Sequence, residues 1–180
     1  MNERGRMRNA AVVMALLGLT SSCASLRAAR GADGSPVTLE VYFDRNAQLQ
    51  NTSQVAQVVG FMDPDLRSIL LEAGYVVQQS YNPESFVPGP NRYLLLVKVL
   101  NYNPGSKAAR MFVGSLGGGA LVLDTQHVLF SGPGQMVVQG TSSVGSGRDW
   151  EYAARKINLQ VFREVTEALS ARATPGPGAR

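Results

Sequence analysis

The chain is poor in the side chains on which covalent and metal chemistry usually depend: one Cys, one His and one Trp, with only 17% of its residues charged. A lone Cys23 excludes an internal disulfide framework, and a lone His127 excludes a multi-histidine metal centre. The apolar run near the N-terminus, Asn9 to Leu19, is shorter than the roughly 20 residues a membrane-spanning helix needs. No internal repeat of useful length is present, which sets repeat architectures aside. Low charge combined with 44% hydrophobic residues excludes wholesale disorder and predicts a packed core. A length of 180 residues is enough for one domain with appended ends.

The N-terminus reads as an address. Arg4, Arg6 and Arg8 stand against a single Glu3, and the apolar run from Asn9 to Leu19 follows. A basic segment before an apolar core of this length is the pattern of a secretory signal. Leu19-Thr20-Ser21-Ser22 then leads directly into Cys23 and resembles a bacterial lipobox, with Thr20 where Leu is usual. The resemblance implies that the Cys23 thiol carries a lipid and becomes the first mature residue. An ordinary signal cut near Ala24 or Ala28, or a buried Cys without a role, is the alternative. More than one acyl chain gives durable anchoring, because each buried methylene contributes about 0.8 kcal/mol. Ala24, rather than Asp, after the Cys implies transfer to the outer membrane by the rule such lipoproteins follow in Gram-negative bacteria.

Removing residues 1–22 leaves 14 of the 17 basic and 12 of the 13 acidic side chains, a formal net charge of +2. That balance, spread along the chain, predicts no nucleic-acid partner, which would call for a clustered basic face. The resulting division is 1–22 signal peptide, 23–36 flexible tether rich in Ala, Gly and Ser, 37–172 a single α/β domain, and 173–180 a disordered Pro- and Gly-rich tail.

Within the domain, Val37 to Phe43 alternates as a strand. Asp63-Pro64-Asp65 reads as a helix start, leading to an apolar stripe of Leu66, Ile69, Leu70 and Ala73 that ends at Gly74, whereas 52–62 is ambiguous because Gly60 interrupts helical spacing. Strands are predicted over 75–79, 92–102, 120–130 and 135–142. The continuous apolar run in 92–102 suggests a central strand covered on both faces. A final amphipathic helix is predicted from about Asp149 to Arg172. The fold class is therefore α+β, a two-layer α/β sandwich: a mixed four- to five-stranded sheet packed by two helices, in the order β-α-β-β-β-β-α.

Gly105-Ser106-Lys107-Ala108-Ala109-Arg110, Phe112-Val113-Gly114 with the glycines after it, and Gly147-Arg148-Asp149 before the last helix resemble a group of bacterial lipoproteins known only as a domain of unknown function. The resemblance covers roughly Val37 to Leu169. It implies a small periplasm-facing α/β domain, similar in shape to the amino-terminal domain of the Tol-system β-propeller protein, and brings no catalytic residues with it.

The residues themselves point the same way. His127 lies in a strand, and Asp124 would fall on the opposite sheet face, so no catalytic triad forms around it. Gly114 to Gly119 lacks the Lys-Ser/Thr of a phosphate loop and precedes a strand rather than a helix. Neither a cofactor nor a metal is predicted, and no enzymatic activity. Lys107, Arg110, Met111, Phe112 and Leu116 form either a core-and-turn segment or an exposed apolar and basic lip that meets a partner or anionic lipid. The sequence thus predicts an outer-membrane-anchored, non-enzymatic binding or accessory subunit with an envelope protein as partner. A lipid-handling protein with an apolar cavity is the alternative.

Overall fold

The computed structural model describes residues 27–44, 52–105 and 121–173. Strand β1 is Thr38–Asp44, helix α1 Thr52–Ala73, β2 Val76–Gln79, β3 Arg92–Asn103, β4 Leu121–Gly132, β5 Gln135–Ser146 and helix α2 Trp150–Ala173. The strands form one sheet in the order β2-β1-β3-β4-β5. β1 pairs in parallel with β2 and β3, whereas β3, β4 and β5 pair antiparallel. This is the α+β class and element order that the sequence predicts. Parallel strands cannot be joined by a tight turn, and α1 is the crossover between β1 and β2.

Alternation decides which face each strand buries. Leu39, Val41 and Phe43 of β1, Val97 and Val99 of β3, and Leu121, Leu123 and Leu129 of β4 turn to the same side and are almost fully buried. The helices lie on that side. Val58, Met62, Leu66 and Leu70 of α1 and Ala153, Ile157, Val161 and Val165 of α2 close over it. The two helices are tied to each other by Asn158, whose Nδ2 donates to the Met62 carbonyl at 3.0 Å and to Asp65 Oδ2 at 2.9 Å.

Asp63-Pro64-Asp65 does not start a helix; α1 runs through it, with Pro64 inside. The ring has no N–H for the Gly60 carbonyl, a cost of about 3 kcal/mol. Extending the helix buries Val55, Val58, Val59 and Met62, each contributing roughly 1.5–3 kcal/mol, so burial outweighs the proline. Asp63 instead accepts from Arg67 Nε at 2.8 Å and from Gln79 Nε2 at 3.2 Å. The other helix end is as predicted: Gly74 takes φ +104°, open to glycine, and closes α1. Asp149 caps α2 by accepting from the Tyr152 N–H at 2.9 Å.

Residues 27–36, expected within the tether, are held by the fold. Ala29 is buried in the core, and its N–H donates to Tyr75 Oη at 3.1 Å. Ala28 N–H donates to the Ala73 carbonyl at 2.9 Å, and Arg30 forms a bridge with Pro36. The packed body therefore begins upstream of Val37.

Candidate functional site

Both helices cover one sheet face, and among the described residues no helix covers the other. β3 is central, third of five strands, but it is not covered on both faces along its length. On its outer face Leu94 is buried, Leu96 and Lys98 are partly open, and Leu100 is 41% exposed. Among the described residues, one end of this face is roofed. After β2 the chain turns back in a short 3-10 segment, Pro83–Ser85, capped by Asn82, whose Oδ1 accepts from the Glu84 N–H at 3.0 Å. Phe86 follows and packs down to 9% exposure.

Between this loop and the β4–β5 turn lies a groove of about 320 Å³. Its floor is Leu94 and Leu96 of β3 with Phe130 of β4, which sits directly across from Leu94 in the register. Phe86 and Pro133 form its walls, and Glu84 is its titratable side chain. The turn at Pro133-Gly134 is tight because Gly134 adopts φ +69°. Its size and apolar lining match the dimensions of an apolar side chain or a short hydrocarbon segment. On the outer face the charges pair within the sheet: Glu40 with Arg92 at the groove end, and Asp44 with Lys98 at 3.8 Å farther along. Asp124 accepts from Asn101 at 2.9 Å and from Ser143.

A second polar feature lies beneath α2. His127 points inward from β4, has no exposed surface and faces Gly140 of β5 in the register. Its Nε2 is 3.1 Å from Glu164 Oε2 of α2. The approach lies off the N–H direction, and neither ring nitrogen makes a directed hydrogen bond; Thr125 Oγ1 and Ser142 Oγ beside it are likewise unbonded. Burial pushes the His127 pKa below its ordinary value, with the Glu164 carboxylate opposing that shift. Asp124, as predicted, faces the other way. The ring has no exposed surface and packs with Glu164 against Gly140 as part of the core.

Cys23, Lys107, Arg110, Met111, Phe112 and Leu116 lie outside the described residues. Gly105 and Leu121, which flank the last five, stand beyond the end of β3 and at the start of β4, at the opposite end of the sheet from the groove. Trp150 meets Phe61 edge-on at 5.5 Å and joins the start of α2 to α1. Among the described residues, no group of three or more His, Cys, Asp and Glu side chains could hold a metal ion. No described helix is long and apolar enough to cross a membrane.

The groove was not legible in the sequence, where Tyr81 to Asn91 reads only as a loop and Leu94 and Leu96 only as core. Its one signal is the clustering of Pro83, Pro88 and Pro90 around Phe86, which stiffens a loop that carries a large apolar side chain.

No family model matches the chain, and no curated protein matches it. Among solved structures, the PelC dodecamer from Paraburkholderia phytofirmans is similar at 15% identity and TM-score 0.48, over 77% of this chain and 89% of that one. Protein XCC0632 from Xanthomonas campestris, of family DUF330, is similar at 10% identity and TM-score 0.42, over 74% and 83%. A neuraminyllactose-binding hemagglutinin homologue from Helicobacter pylori follows at 11% identity and TM-score 0.35, over 81% and 88%. At these values the likenesses carry no functional argument.

Proposed function

We propose that this chain is a lipoprotein anchored to the outer membrane through Cys23, with its domain in the periplasm acting as a non-enzymatic binding or accessory subunit of the cell envelope. The observation that carries the binding role is the outer sheet face, free of helix among the described residues, with its apolar groove between Phe86, Leu94, Phe130 and Pro133. A face of this kind is a recognition surface: apolar side chains stand partly exposed in a row, and paired charges border them. His127 supports the non-enzymatic reading, because its ring is closed off by Gly140, Glu164 and the core. The N-terminal basic segment, apolar run and Cys23 support the anchor.

The groove also favours a second reading, in which the ligand is a hydrocarbon chain and the protein handles lipid. Two measurements separate the readings. Crosslinking from intact membranes recovers one specific envelope protein under the first, and loses it with Leu96→Asp. Native mass spectrometry of the purified domain shows a bound lipid under the second. Recovery of neither overturns the binding role.

A further inference from the structure

We propose that the end of the domain where the chain enters the fold rests on the surface of the bilayer that holds the Cys23 lipid, with Val87 and Met136 among its contacts. The inference rests on the anchor reading above and adds an orientation and a docking surface to it.

The topology gathers several segments at this end. Thr38 at the start of β1 pairs with Val76 at the start of β2 and Arg92 at the start of β3. Leu94 pairs with Phe130 and Gly132 with Gln135, which brings the β4–β5 turn to the same level. Ala28 is bonded to Ala73 at the end of α1, and Arg30, Arg172 and Ala173 surround one shallow hollow at the end of α2.

The reach of the chain says what covers this end. Residues 27–36 are fixed to the body, so the chain has no more than the length from Cys23 to Arg27 between the anchor and the fold. Four residues extend at most about 14 Å, roughly half the ~30 Å hydrocarbon thickness of a bilayer. A lipid on Cys23 therefore draws this end, and no other, to the headgroup layer.

The surface there suits an interface. Of the eight large hydrophobic side chains that stand exposed among the described residues, Leu71, Val76, Val87 and Met136 are at this end. Val87 is 62% exposed on the loop that walls the groove, and Met136 is 54% exposed at the start of β5, beside the turn that forms the other wall. The charges balance: Arg27, Arg30 and Arg172 stand with Asp33, Glu72 and Glu84, while Arg92 is paired with Glu40. Docking is then apolar insertion alongside the lipid anchor, not attraction to anionic headgroups.

The test uses the acylated full chain in phosphatidylcholine vesicles. Cys23 is the only cysteine, so a thiol added by Val87→Cys, Met136→Cys or, as a distant control on β5, Ser143→Cys is the one free to take a bimane label. Acyl chains brominated at mid-depth are expected to quench the first two labels at least twofold more than the control, with no change when anionic lipid is added. Hydrogen exchange of the unlabelled protein is expected to slow over 85–91 and 133–136 in vesicles relative to detergent. Equal quenching at all three positions with unchanged exchange, in protein of confirmed acyl mass, overturns the docking surface and leaves the anchor standing. Absence of acyl mass overturns the anchor and the inference together.

Discussion

The His127 ring on β4 fills the space that a side chain at Gly140 on β5 would need: a Cβ there would run into the ring and into the Glu164 carboxylate behind it. Glycine at 140 is thus required by packing, not by backbone conformation. Gly140→Ala is expected to cost about 1–3 kcal/mol, the usual range for overpacking a tight core. Urea denaturation of the two proteins measures it; equal midpoints would show that the His127–Glu164 stack yields freely.

The same buried ring makes stability depend on pH. The folded-state pKa of His127 lies below the unfolded value because burial disfavours the imidazolium, and Glu164 only partly offsets this. The unfolded chain then binds the proton more readily near pH 6.5. Stability therefore falls as pH is lowered from 7.5 through 6.5 toward the folded pKa, and it levels off below that. His127→Gln is expected to flatten this part of the profile between pH 7.5 and 5.5. A wild-type profile that is already flat there would contradict the depressed pKa.

Asn158 offers a separate test of how α1 and α2 are joined. It is fully buried and donates to the Met62 carbonyl and to Asp65. Asn158→Ala leaves both acceptors short of a donor at a cost of about 1–3 kcal/mol. A domain of this size would lose roughly 2–4 °C in Tm per kcal/mol. Thermal unfolding followed by circular dichroism reads the shift.

How much of this could be seen in the sequence depended on whether the signal was local. The alternation in Val37 to Phe43 and the three-to-four spacing of Ala153, Ile157, Val161, Val165 and Leu169 reflect one-sided burial, and both elements stand where the pattern puts them. Asp63-Pro64-Asp65 misleads because capping chemistry is a local preference, whereas burial of Val55 to Met62 against the sheet is a tertiary gain large enough to carry a helix through a proline. Residues 27–36 look like a linker by composition, yet Ala28 and Ala29 find partners at Ala73 and Tyr75, far away in the chain. The groove needs three distant segments to meet, so nothing in any one of them announces it. His127 facing Gly140 depends on strand register, which periodicity alone does not supply.

The groove itself is tested by polarity. Leu96→Asp places a carboxylate on its floor, and Thr141→Asp places one on β5 away from it. The first is expected to reduce recovery of the crosslinked partner, or of bound lipid, at least tenfold, and the second to leave it within a factor of about two. Equal losses would mean that the whole outer face, and not the groove, is the contact.

The most direct measurement is the intact mass and membrane partition of wild type and Cys23→Ser expressed in a Gram-negative host. Wild type is expected to begin at residue 23, to carry acyl mass and to sediment with the outer membrane, while Cys23→Ser is released as a soluble periplasmic protein. Soluble, unacylated wild type would contradict the lipid anchor.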